Sequence, residues 1–363
     1  MSVPIFSQSR SPLVFQGRLP ALDGLRGVAI LLVLFHHIWP YTWDGPLHKA
    51  LSTVKQAGWI GVDLFFVLSG FLITGILLDA RRQQGFFRTF FARRALRIFP
   101  LYFFFLLLCY VALPLFSQTV GLPLASSDDD ERVLPWLMLY VTNYLPLYND
   151  PVVAEWLNPS ETLGQTIEPS DHLAVTWSLC VEEQFYLAWP LLIFFLGRHS
   201  LKITGMVVAG AIAARLLAIA YLDNWQQVTY MATFCRMDSL AIGAAVACYL
   251  RSDLFSHRCW RILTAVAVCL ALPASSLWVA LGAGRSDPLF AGVGYTMLAM
   301  GCAGLLAIAL SSKASVVQAA LCGPLLQWFG KYSYGLYLYH MLILALFAWW
   351  RPAETLADGT PAD

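Results

Sequence analysis

Hydrophobic and polar positions in this chain segregate on the scale of whole segments. Apolar runs recur at about 24–41, 59–78, 97–117, 174–196, 203–222, 228–250, 260–282, 289–311 and 326–350. Each is near the ~20 residues that an α-helix needs to cross a bilayer. Residues 133–148, VLPWLMLYVTNYLPLY, are shorter and are interrupted by Pro135, Asn143 and Pro146. The pattern predicts an all-α polytopic membrane protein, a bundle of about ten transmembrane helices in which 133–148 either spans or is re-entrant. The expected organisation is an N-terminal tail at 1–21, a membrane domain at 22–350 and a short polar tail at 351–363.

Composition agrees with this reading: 58% of residues are hydrophobic and 12% charged, where a soluble domain carries about a quarter charged residues. The net charge of +1 gives no ground for a nucleic-acid partner, and its distribution is more informative. The segment DARRQQGFFRTFFARRALR holds Arg81, Arg82, Arg88, Arg93, Arg94 and Arg97, so the positive-inside rule assigns it to the cytoplasm. The N-terminus, with Arg10 and Arg18, is then cytoplasmic too, and SSDDDER at 126–132 lies on the far side. Residues 1–20 lack the apolar core of a cleaved signal peptide, so the first helix is expected to act as its own insertion signal. The expected location is the inner (cytoplasmic) membrane. If 133–148 spans, both termini lie inside. If it is re-entrant, Arg198, Lys202, Arg251, Arg258 and Arg261 become cytoplasmic, which suits the charge rule better, and the C-terminus lies outside. The eight cysteines show no CxxC pair and no metal-ligand spacing. They read as packing residues, and no metal is expected.

Ionisable groups in lipid are costly, so those inside apolar runs normally face the bundle interior or a water-filled path. In LRGVAILLVLFHHIWP, Arg26 and His37 share one helical stripe, while His36 is rotated off it. Asp63 sits at a depth similar to that of His37 and could hold an imidazole tautomer; the plainer reading is a helix N-terminal carboxylate. Ser69 lies deeper in the same run. In HLAVTWSLCVEEQFYLAWP, Ser178, Glu182 and Tyr186 fall on one face, beside Trp177. Arg236 and Ser239 make a further stripe, as do Ser333, Tyr337 and His340. Either could equally be a helix-packing network. Arg94 and Arg97, three residues apart, offer two guanidinium groups suited to phosphate, or plain positive-inside charge.

In this order, LDGLRGVAILLVLFHH, GVDLFFVLSGFLIT, RRALRIFP, WSLCVEEQFYLAWP, RMDSLAIG and YSYGLYLYH resemble the acyltransferase 3 family of integral membrane acyltransferases. The resemblance runs from about Leu22 to Leu344 and favours the ten-helix topology. It implies transfer of an acyl group from cytoplasmic acyl-CoA, as donor substrate rather than resident cofactor, to a hydroxyl of a carbohydrate or other cell-envelope or secreted acceptor. The family's helix-one histidine falls on His37, its Arg-x-x-Arg pair on Arg94 and Arg97, and its Trp-Ser-Leu-x-x-Glu-x-x-x-Tyr motif on Trp177, Ser178, Leu179, Glu182 and Tyr186. The roles implied are general base for His37, phosphate holder for the arginine pair, and orientation or charge balance for Asp63 and Glu182. Direct transfer is expected over an acyl-enzyme, for which Ser178 is the plausible carrier. Some relatives carry an extra helix and a hydrolase-like domain, so here the transfer is expected within the membrane domain. The competing class is a transporter or flippase whose polar stripes line a pathway.

Overall fold

The computed structural model describes residues 19–38, 51, 55–120, 128–148, 173, 175–280, 286–310 and 316–350. The tails at 1–18 and 351–363, with Arg10 and Arg18, lie outside the described residues, as does 149–172. No β-strand occurs among the described residues. The helices are α1 (Pro20–Ile38), α2 (Ile60–Ala80), α3 (Phe86–Leu107), α4 (Leu113–Val120), α5 (Asp128–Met138), α6 (Thr176–Leu196), α7 (Ser200–Tyr221), α8 (Trp225–Met231), α9 (Thr233–Leu250), α10 (His257–Val266), α11 (Leu272–Ala280), α12 (Tyr295–Ala309), α13 (Val316–Leu321) and α14 (Pro324–Trp350). Single π-turns join α3 to α4 and α10 to α11, and another leads into α12.

Six stretches of the described residues are long and apolar enough to cross a membrane: Pro20–Ile38, Ile60–Ala80, Phe86–Phe116, Thr176–Tyr221, Trp225–Leu250 and Phe290–Ala309. Thr176–Tyr221 holds two helices, α6 and α7, joined by a short 3-10 turn. The outward faces carry large apolar side chains such as Leu187, Phe195, Met206, Leu217, Leu277 and Ile343, the surface expected of a body solvated by lipid.

Lipid supplies no hydrophobic drive between helices, so close packing depends on small residues. Two crossings show this. Gly70 of α2 lies against the carbonyl of Leu240, and Gly243 of α9 against that of Val67; a methyl group at either would meet backbone. Gly24 and Gly27 of α1 meet the backbone of Leu321 and Leu326, and Gly330 of α14 meets that of Asp23.

Named contacts fix the helix directions. From α2 to α9 they run Asp63 to Arg236 and Asp79 to Arg251. From α2 to α6 they run Ser69 to Glu182, Thr74 to Trp189 and Arg81 to Phe194. So α2, α6 and α9 are parallel. Gln327 bonds the carbonyl of Pro20 and His340 meets His37, so α1 and α14 are parallel as well. One end of the bundle gathers Arg81, Arg82, Arg198, Lys202 and Arg251; it is termed the basic end.

Helix α3 differs most from expectation. It starts at Phe86, where the apolar pattern predicts a start at 97. Gly85, with φ of 72°, turns the chain, and Phe86, Phe90, Ile98, Tyr102 and Phe105 bury one stripe. Arginines between those positions had masked the stripe. Arg94 and Arg97 therefore lie about 12 and 16 Å along the helix from Phe86 at ~1.5 Å per residue, not at its mouth.

The segment 133–148 forms no single helix. Helix α5 ends at Met138, Tyr140 takes a left-handed φ of 55°, and a 3-10 helix runs Thr142–Tyr148. Its bend reaches the middle of α6, where Gln184 donates to the Tyr140 carbonyl at 2.8 Å and to Asn143 at 2.9 Å. Helix α3 leaves the basic end and α6 returns to it, so the segment begins and ends its excursion at the other end.

These directions make a labelling prediction. With the exposed Cys259, Cys269 and Cys322 replaced by serine, cysteines at Gln84 and Ala319 should react with an impermeant maleimide from one membrane face, and a cysteine at Asp223 from the opposite face. Labelling of Ala319 and Asp223 from a common face contradicts the parallel α1–α14 pair.

Candidate functional site

The first polar cluster sits near the middle of the bundle, at Ser69 of α2 and Glu182 and Tyr186 of α6, where α1, α2, α3 and α6 meet. Ser69 donates to Glu182 Oε1 at 2.7 Å and Tyr186 donates to Glu182 Oε2 at 2.9 Å, with the two hydroxyl oxygens 2.8 Å apart. Gly70 packs against α9 while its neighbour Ser69 faces α6. The spacing of Glu182 and Tyr186, four residues apart, puts them on one face of α6. The Arg94 guanidinium lies 4.2 Å above the Tyr186 ring, a cation–π contact that holds the charge at this depth. Arg26, ion-paired to Asp23 at 3.6 Å, is close enough to Arg94, Arg97 and Tyr186 to interact electrostatically with each. Three guanidinium groups thus converge; Arg97 is exposed, and Arg26 and Arg94 are half-buried. A cavity of about 250 Å³ opens beside Arg26 and Asp23, lined also by Asp79 and Arg251.

The second cluster lies towards the other end. His37, on the last turn of α1, has Nδ1 2.9 Å from the Val33 carbonyl and 3.3 Å from Nε2 of His340. His340 Nδ1 lies 2.7 Å from the Tyr337 carbonyl. The Tyr337 hydroxyl lies 2.6 Å from Ser178 Oγ and donates to the Val175 carbonyl at 3.2 Å. His36 turns away and pairs its Nδ1 with the Lys55 carbonyl at 2.7 Å. Lys55 lies outside the helices that span, and burial pulls its ammonium down to about 8.

Ser178 and Glu182 are one turn apart on α6, so the clusters join. A polar seam runs from Arg94 through Tyr186, Ser69 and Glu182 to Ser178, Tyr337, His340 and His37, drawing on five helices.

Asp63 belongs to a third, fully buried group. It accepts from Arg236 Nη2 at 2.7 Å and from Ser239 at 3.0 Å, and Arg236 lies 4.2 Å over the Tyr295 ring. Trp177 packs beside it, 4.7 Å from the Tyr230 ring and 6.1 Å from Phe66. Among the described residues, Ser333 bonds only its own helix, to the Gly330 carbonyl at 3.0 Å. Sequence reasoning missed a neighbouring pair: Arg215 with Asp238 at 2.9 Å, both buried and tied to Thr296. A lone arginine in the run AIAARLLAIAY was the available signal. Removing one partner from such a buried pair costs about 3–5 kcal/mol, so these pairs clamp α2, α7, α9 and α12. No group of three His, Cys, Asp or Glu that could hold a metal occurs among the described residues. All eight cysteines are free, five of them buried.

Comparison with known proteins bears on this arrangement. The chain is 28% identical to the peptidoglycan O-acetyltransferase OatA of Listeria monocytogenes over 338 residues, covering 90% of this chain and 49% of that protein. It is 27% identical to the O-acetyltransferase OatA of Staphylococcus aureus, with 90% and 50% covered. It is also 27% identical to the putative peptidoglycan O-acetyltransferase YrhL of Bacillus subtilis, with 90% and 49% covered. The chain therefore spans about half the length of these curated relatives. No solved structure matches. The family model for the acyltransferase domain matches residues 19–354, which include every helix described above, and the chain belongs to the acyltransferase 3 family.

Proposed function

We propose that the chain moves an acetyl or other short acyl group from acyl-CoA, bound at the basic end, to a hydroxyl of a cell-envelope glycan at the other end. The carrying observation is the polar seam. It links a cluster of three guanidinium groups to His37, about 11 residues further along α1 than Arg26, roughly 16 Å at ~1.5 Å per residue. The basic end faces the cytoplasm under the positive-inside rule. The described residues then make nine passes, because α1 and α14 run the same way and 128–148 dips without crossing.

On this reading Arg26, Arg94 and Arg97 hold the phosphates of the donor. The headgroup enters from the basic end as far as these arginines, and the thin pantetheine arm extends onward along the seam. Glu182 keeps Tyr186 under Arg94 and thereby sets the arginine's depth. His37 takes the proton from the acceptor hydroxyl as that oxygen attacks the thioester carbonyl. The tetrahedral intermediate then collapses with departure of the CoA thiolate, which takes up a proton. General-base assistance of this kind contributes typically ~10²–10⁴-fold in rate. The relatives named for peptidoglycan O-acetylation support a glycan hydroxyl as acceptor and acetyl as the group moved.

His37→Ala should lower transfer by about 10²-fold or more with membrane insertion intact, while His36→Ala, whose ring bonds the Lys55 carbonyl, should stay within a few-fold. The check is acetyl transfer from radiolabelled acetyl-CoA in isolated membranes. The reverse ranking of the two variants removes His37 as base.

Arg94→Ala and Arg97→Ala should each weaken acyl-CoA binding by about tenfold or more, since a charged hydrogen bond to phosphate is worth ~1.5–3 kcal/mol. Lysine should restore only part, because an ammonium cannot form the two-pronged contact. Unchanged CoA binding by purified protein in both alanine variants, with acceptor transport retained, would favour the transporter reading instead.

A further inference from the structure

We infer that His340 is a positioning residue that fixes which nitrogen of His37 is basic and shares the charge His37 acquires. The inference rests on the reading of His37 as the base and adds a residue that reaches the reaction only through it.

Two carbonyl oxygens dictate the proton positions. His340 Nδ1 lies 2.7 Å from the carbonyl oxygen of Tyr337. A carbonyl only accepts, so Nδ1 of His340 carries the hydrogen. In the neutral ring this leaves its Nε2 as an acceptor. That nitrogen lies 3.3 Å from Nδ1 of His37, which also stands 2.9 Å from the carbonyl oxygen of Val33. Both of these groups are acceptors, so this nitrogen carries the hydrogen and donates to the two of them. The basic lone pair of His37 is therefore on Nε2. The rings are tilted by 59° with centroids 4.9 Å apart, which points the His340 lone pair at the His37 edge rather than its face.

The placement also has an energetic side. When His37 takes a proton on Nε2 its ring becomes a cation, and the Nδ1–H bond to His340 strengthens because its donor is now charged. His340 is 4% exposed, so little water competes for that hydrogen. The carbonyl of Val33, one turn back on the same helix, fixes the tautomer by itself only as long as the ring keeps its orientation. His340, on α14, supplies the second and independent restraint. The α1–α14 glycine crossing brings that helix close enough to do so. Removing His340 should lower activity by about 10–100-fold, the range that holds for the orienting partners of metal-bound histidines.

The test replaces His340 with residues that keep or remove the acceptor. In His340→Gln the side-chain oxygen stands near the position of Nε2 and can accept from His37, so most of kcat should remain. In His340→Leu no acceptor is left, and kcat should fall by about 10–100-fold with little change in the KM for acyl-CoA. In His37→Ala protein the added His340→Leu change should cost nothing further, because His340 acts through His37. If leucine does not fold, His340→Asn takes its place, being polar but too short to reach His37. The inference is overturned if glutamine is as poor as leucine or asparagine, if leucine keeps full kcat, or if His340→Leu lowers the residual rate of His37→Ala by the same factor as in the parent. Full activity of His37→Ala alone would instead remove the base reading, and this inference with it.

Discussion

Helix backbones in a bilayer come into contact only where side chains are small enough to permit it, and here glycine provides that permission at several crossings, two of which carry most of the polar groups. Gly70 and Gly243 press α2 and α9 together, each against the other helix's carbonyl, and Gly24, Gly27 and Gly330 do the same for α1 against α13 and α14. The polar groups of α1, α2, α9 and α14 are positioned from these contacts. The first crossing brings Asp63 to Arg236 and leaves Ser69 facing α6. The second brings His340 to His37 across 303 residues of chain.

Tight packing alone would leave carboxylates and guanidinium groups in hydrocarbon, where an unpaired charge is costly. The chain meets this cost in two ways. Asp63 with Arg236, and Asp238 with Arg215, are wholly buried ion pairs with hydroxyl partners from Ser239 and Thr296. They lock four helices and take no part in the seam. Glu182, by contrast, is satisfied by two hydroxyl groups, and Arg94 rests on an aromatic face. The first kind of site clamps the bundle, and the second makes up the polar seam.

The sequence already carried much of this picture. Apolar runs located most helices to within a few residues, and the single face shared by Ser178, Glu182 and Tyr186 follows from helical spacing. The start of α3 was hidden because arginines interleave with its buried stripe of Phe86, Phe90 and Ile98, so the segment reads as a basic loop. The partner of Asp63 could not be read either. An ion pair spanning 173 residues depends on which helices touch, and periodicity within one helix carries no such information. The same limit separates His37 from His340. It also left open the path of 133–148, which became legible only once α3 and α6 were seen to run in opposite directions.

The central claim is that donor and acceptor meet through one seam from opposite faces. Right-side-out and inverted membrane vesicles containing the chain measure this directly, with radiolabelled acetyl-CoA confined to one compartment and a soluble peptidoglycan fragment to the other. The account predicts label on the glycan only when acetyl-CoA is on the face bearing the basic end and the glycan on the opposite face, and none in vesicles carrying His37→Ala. Equal acetylation with both substrates on one face would contradict it.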